Sequence, residues 1–136
     1  MKNPLYIGRN TNTSKFAIDR DDLSTHAVVV GKTGSGKSGL IHVLIEEAVM
    51  AGASAVVLDP KGDLTNLVLA LPGLTQQEFE PWLPEGRDAQ EEIKRIKQGL
   101  YSYDLGFNDI VKWRDSAVFK IITPGLEGAE SSVNLL

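Results

Sequence analysis

The sequence predicts an α/β fold in three layers, with helices on both faces of a mostly parallel sheet, an N-terminal β-hairpin and a helical insertion. Three observations carry this expectation. Residues 27–30, 53–58 and 117–123 are short apolar runs without polar alternation, the pattern of strands covered on both faces. Between the first two lies a run of helical spacing, so strand, helix and strand follow one another as a unit that crosses over right-handed. A glycine-rich turn joins the first strand to that helix.

That turn is the centre of the chain. The segment Gly31-Lys32-Thr33-Gly34-Ser35-Gly36-Lys37-Ser38-Gly39 matches G-x-x-x-x-G-K-S, and it stands after an apolar strand and before a helix, where the pattern carries meaning. Glycines let the backbone curl until successive N–H groups point inward, and the helix start adds its positive dipole end. Together they suit phosphate oxygens. Lys37 is expected to reach the terminal phosphates of ATP, and the Ser38 hydroxyl to sit on Mg²⁺. The expected fold is therefore that of a P-loop nucleotide-binding domain.

The other elements follow in chain order. Residues 5–8 and 15–18 read as two short strands around the turn formers of residues 9–14, giving the hairpin of a first section, 1–22. Residues 19–22 read as a solvated charged loop. The phosphate-loop core spans 23–72. Its helix is expected from Lys37 to Ala51, with Leu40, Ile41, Leu44, Ile45, Ala48 and Val49 on one face and Gly52 as the C-terminal stop. His42, Glu46 and Glu47 fall off that face, which makes His42 a surface histidine. Residues 64–71 read as a short apolar helix stopped by Pro72-Gly73.

A helical insertion covers 73–116. Thr75-Gln76-Gln77-Glu78 is a capping-box pattern for a brief helix cut off by Pro81 and Pro84. Residues 90–103 form its clearest surface helix, with Ala89, Ile93, Ile96, Leu100 and Tyr103 in one stripe. Asn108 is the expected cap of a further helix through Trp113. The last section, 117–136, is a strand and tail. It ends in an apolar Val133, Leu135 and Leu136, and the chain is expected to stop before its fold is complete.

Composition narrows the classes. The 136 residues suffice for one core, and the apolar fraction of 42% with 24% charged residues is that of an ordinary globular domain. A net charge of −4 argues against a module that coats nucleic acid. Cysteine is absent and the two histidines lack ligand spacing, so neither a disulfide framework nor a protein-only metal site is expected. No apolar run reaches the length of a membrane span. The expected compartment is the cytoplasm, with no membrane partner.

A second acid is needed near a phosphate loop to hold the metal's water shell or orient the attacking water. Asp59, at the end of the second buried run, is the candidate, and the alternative is that it caps the turn at Pro60-Lys61-Gly62. Lys61 contacts phosphate or faces water.

These residues resemble a family. The phosphate loop followed by Leu58-Asp59-Pro60-Lys61-Gly62-Asp63, then Pro72-Gly73, Phe79-Glu80-Pro81-Trp82 and Ile121-Ile122-Thr123-Pro124-Gly125, is similar to the HerA/FtsK group of ring-forming P-loop ATPases, and to large bacterial HerA-like ATP-binding proteins in particular. The resemblance covers nearly the whole chain. It implies a RecA/FtsK-like core, ATP and Mg²⁺ as cofactors, Lys37 and Asp59 in catalytic roles, Ser38 and Asp59 at the metal, self-association into a ring and, through the full assembly, DNA as a partner. In that group the Asp-Glu pair and the arginine finger lie further along than residue 136. Two alternatives stand beside the motor: a nucleotide-dependent switch or scaffold without turnover, and a secretion-type ATPase or small-molecule kinase.

Overall fold

A computed structural model describes residues 2–123. Its first element is the expected hairpin. Strands β1 (Pro4–Arg9) and β2 (Lys15–Asp19) pair antiparallel, with a register shift between Tyr6 and Gly8. The turn closes on the Asn10 side chain, whose Oδ1 accepts from the backbone N–H groups of Asn12 and Ser14. Leu5 is 1% exposed, the most deeply buried side chain among the described residues. Residues Arg20–Leu23 form a 3₁₀ turn rather than a free loop: the Asp19 carboxylate accepts from the N–H groups of Lys2 and Asp21. Arg20 also reaches across to donate to the Ala51 carbonyl.

Helix α1 (Lys37–Met50) lies where its spacing places it and ends through Gly52 at a φ of 87°. It is more enclosed than an amphipathic reading suggests, for every residue from 41 to 50 is at least partly buried. The hairpin covers one side, and the Tyr6 N–H donates to Glu47 Oε2 at 2.8 Å. Helix α4 (Phe107–Ser116) covers another. His42 is consequently not a surface residue. It is half-buried, and its Nε2 is enclosed with no hydrogen-bond partner among the described residues.

Two separate cores result. Val49, Leu67 and Trp113 form the first, with Ile45, Leu64 and Phe119 against them. Trp113 is fixed there by an Nε1–H bond of 3.1 Å to the Leu67 carbonyl and by an edge-on contact with Phe119, ring centroids 5.1 Å apart. The second core lies inside the insertion. It joins Phe79 of α2 (Gln76–Phe79) to Ala89 and Ile93 of α3 (Ala89–Ser102), with Leu71, Leu74, Leu83 and Ile96 around them. The capping box is present as read: Thr75 and Glu78 exchange side-chain bonds with each other's N–H groups. Asp88 caps α3 by accepting from Gln90 and Glu91. Helix α4 starts at Phe107, two residues earlier than a cap at Asn108 allows, because Asp109 turns back to accept from the Gly106 N–H at 2.8 Å. Arg9 is paired with Asp104 and so ties the hairpin to the end of α3.

The expected central sheet differs in the structure. Residues 27–30, 53–58 and 117–123 are not joined in a ladder, and the hairpin supplies the two-stranded antiparallel sheet among the described residues. Among the described residues the structure is α/β, with that small sheet and four α-helices. The reason is physical. Such runs need neighbours on both edges and cover on both faces, and the described helices cover part of one face. Val28, Val56 and Val118 are left 83%, 93% and 100% exposed. Residues 64–71 similarly reduce to a 3₁₀ turn, Thr65–Val68, because Leu67 is drawn into the first core. No helix among the described residues is long and apolar enough to cross a membrane. The apolar tail residues Val133, Leu135 and Leu136, and the Pro-Gly of the Thr-Pro-Gly close, lie outside the described residues.

Candidate functional site

Residues 31–36 curl because two glycines adopt a backbone that other residues resist. Gly34 has a φ of 78° and Gly36 a φ of 87°, and neither would meet an obstacle at a Cβ. The constraint at Gly31 is different. A Cβ there would stand 2.5 Å from the Ser35 Oγ, which would have to turn aside to admit it. The Ser35 N–H donates to the Lys32 carbonyl at 3.2 Å and draws the loop into a ring.

The helix that follows begins unusually. Gly36 is its N-cap, and no side chain caps it and no acid occupies its first turn. The first backbone bond back into the turn is Leu40 N–H to the Gly36 carbonyl, at 3.0 Å. The N–H groups of Lys37, Ser38 and Gly39 have no acceptor among the described residues. An N-terminus of this kind holds partial positive charge and free donors, which is what an anion requires. Lys37 folds back over the loop, its Nζ donating to the Lys32 carbonyl at 2.7 Å. Lys32, Thr33, Ser35, Ser38 and Gly39 are exposed.

Asp59 is held in its own turn. Its Oδ1 accepts from the N–H groups of Gly62 at 2.9 Å and Asp63 at 3.2 Å, and its Oδ2 from Leu64 at 2.8 Å. The Leu64 bond, with those of Asp63 and Gly62, holds the carboxyl below its ordinary value of 3.8. Gly62, at a φ of 75°, permits the reversal. Asp59 borders a groove of about 840 Å³ that runs between residues 53–59 and 117–123 and is floored by Ile45, Val49 and Trp113; residues 31–39 do not line it. Lys37 and Asp59 thus each make their hydrogen bonds within their own loop. Spacing alone does not show the polar atoms enclosed around the hairpin: Tyr6 Oη, Arg9 Nε and His42 Nε2 lack partners among the described residues.

Comparison with known proteins places the chain in a class, that of HerA/FtsK-type ATPases. Residues 5–118 match the family described as "Helicase HerA, central domain", and the chain belongs to that family. It is 40% identical over 62 residues to the DNA double-strand break repair helicase HerA of Pyrococcus furiosus, an alignment that covers 44% of this chain and 11% of that protein. It is 42% identical over 43 residues to the type 4 coupling protein DotL of Legionella pneumophila, covering 32% of this chain and 6% of that one. The chain therefore spans about a tenth or less of the length of these curated relatives. No solved structure matches it significantly.

Proposed function

We propose that residues 31–39 are the phosphate-binding loop of this ATPase and that the chain binds Mg²⁺-ATP there. The observation that carries the reading is the uncapped start of α1, with three N–H groups that have no acceptor among the described residues behind a turn made of left-handed glycines. The residues fit the ligand. Gly31, Gly34 and Gly36 shape the cradle, Lys32, Thr33, Ser35 and Gly39 present its backbone, and Lys37 exchanges the Lys32 carbonyl for the terminal phosphates. The Ser38 hydroxyl is free to join the metal's coordination. Mg²⁺, when bound, neutralises charge on the phosphate oxygens and takes most of its ligands from them and from water.

Asp59 is the acid proposed for the metal's outer shell. An ionised carboxylate has about four lone-pair sites, and three of them are engaged by the turn, which leaves one for a water. That occupancy favours a second reading of turnover: the chain binds ATP without efficient hydrolysis, because an acid committed to its own loop is poorly placed to orient water. The matched relatives suggest what a complete assembly does. A helicase of DNA break repair points to a DNA-translocating ring, and a coupling protein to the secretion alternative. The cytoplasm remains the proposed compartment.

Calorimetry with a non-hydrolysable ATP analogue tests the binding site. Lys37→Ala is expected to lower affinity roughly 10- to 100-fold, the range of a lost charge-assisted bond. Equal affinity in a folded variant sinks the assignment.

A further inference from the structure

The insertion carries a feature that nucleotide binding does not use. A shallow open groove of about 470 Å³ runs along α3 and is lined by Gln76, Gln90, Ile93, Lys94, Lys97 and Tyr101. Its floor is Ile93, which is 8% exposed, and its far end is Tyr101, which is 80% exposed. Gln90 donates to the Gln76 side chain at 3.4 Å and closes the near end, while Gln76 in turn holds Glu80. Of the other charges of α3, Glu92 pairs with Arg95 and with Arg87 just before the helix, while Glu91 makes no ion pair among the described residues and does not line the groove. Lys94 and Lys97 make no ion pair or hydrogen bond among the described residues and stand one turn apart, about 4.5 Å along the axis.

We infer that this groove docks an acidic amphipathic helix of a partner protein. Lys94 and Lys97 take carboxylates spaced one turn apart, and Ile93 and the Tyr101 ring take the apolar side chain between them. Charge complementarity selects the occupant. The groove itself has two ammonium groups and no carboxylate in its lining, which suits a short acidic segment. A nucleic-acid backbone is disfavoured, because acidic residues outnumber basic ones nine to six over residues 75–116, so the surrounding field repels a long polyanion. The dimensions agree, since residues 90–101 span about 16 Å, three turns of a helix lying alongside. An exposed aromatic beside an apolar floor is an anchor that such a contact can bury.

The test titrates the ¹⁵N-labelled chain with a synthetic Glu- and Leu-containing helical peptide of about three turns. Saturable shifts confined to the amides of residues 90–101 are expected, fading with salt. Lys94→Glu with Lys97→Glu should weaken binding by about tenfold or more, and so should Tyr101→Ala. All three positions are exposed, and Lys97→Gln provides a milder variant whose fold is checked by its spectrum. Lys37→Ala should leave the affinity unchanged, which separates this groove from the phosphate loop. The inference is overturned by an absence of saturable shifts, or by equal binding in the variants. It is overturned equally if an oligo-dT strand shifts the same amides more tightly than the peptide, or if the chain covers them by self-association.

Discussion

The carboxylate of Asp59 accepts three backbone N–H bonds, and this single residue decides how its loop responds to acid. Its folded pKa lies below the ordinary value of 3.8, chiefly through the Leu64 N–H bond and then those of Asp63 and Gly62. The stabilisation is therefore present above the unfolded value and is lost as pH falls through the lowered folded one. A carboxyl-carbon NMR titration should place the Asp59 midpoint below 3.8, and Asp59→Ala should speed amide exchange at Gly62, Asp63 and Leu64. A midpoint at or above 3.8 would contradict the geometry. The residue type and position were legible in the sequence: an acid ending an apolar run before Pro60-Lys61-Gly62. Which way its lone pairs face was not, because capping and water-orienting acids share the same spacing. At Gly34 and Gly36 the position and the conformation coincide, since a curled loop leaves glycine little competition. His42 is the opposite case. Its place off the apolar stripe read as solvent, and only the packing of the hairpin on α1 encloses it.

At the scale of elements, those with local partners could be read and those with distant ones could not. Helices α2 and α3 carry side-chain caps in their own sequence, α1 runs between Gly36 and Gly52, and the hairpin carries both strands and the turn between them. Helix α4 shifts by its Asp109 return bond, a choice between neighbouring caps that composition does not settle. Helix α1 also carries a cost. Glu46 is desolvated by the packing around the helix and, secondarily, lies beside the like charge of Glu47, so its pKa is raised above the ordinary 4.5. The native state then holds its proton more tightly than the unfolded chain, and stability declines as pH rises from the unfolded value through the folded one. Glu46→Gln removes the charge while keeping the shape. It should raise Tm at neutral pH, with the gain vanishing below about 4.5, where the glutamate is already neutral in both states. Thermal melts across that range decide it, and an unchanged or lowered Tm at neutral pH would show that Glu46 is ionised at no cost.

At the scale of the whole molecule, the helices build two cores, yet the three most apolar segments remain largely uncovered. Val28, Val30, Val56, Leu58 and Val118 are between 83% and 100% exposed, and the backbone of residues 27–30, 54–58 and 117–123 makes no backbone hydrogen bond among the described residues. The composition of these runs calls for a parallel sheet, and a parallel sheet is the least local of structures, because each strand needs partners brought in by crossovers. That is why the run could be recognised in the sequence while its neighbours could not. Exposed apolar segments with free N–H and C=O groups also have a physical consequence. They are adhesive surfaces of the kind that monomers seldom leave open, and free edges of this sort pair with an available strand. The 136-residue chain in solution should therefore bind a hydrophobic dye such as ANS and sediment above its monomer mass, increasingly so with concentration. Replacing Val28 and Val56 with lysine places charges on two of these segments, where both side chains already face solvent and touch neither core. The double variant should lose most of the dye signal and shift toward monomer, while its far-ultraviolet spectrum stays that of the helices. Sedimentation velocity that finds the parent chain monomeric at every concentration, with no dye bound, would mean that these segments are covered in solution and pair with one another.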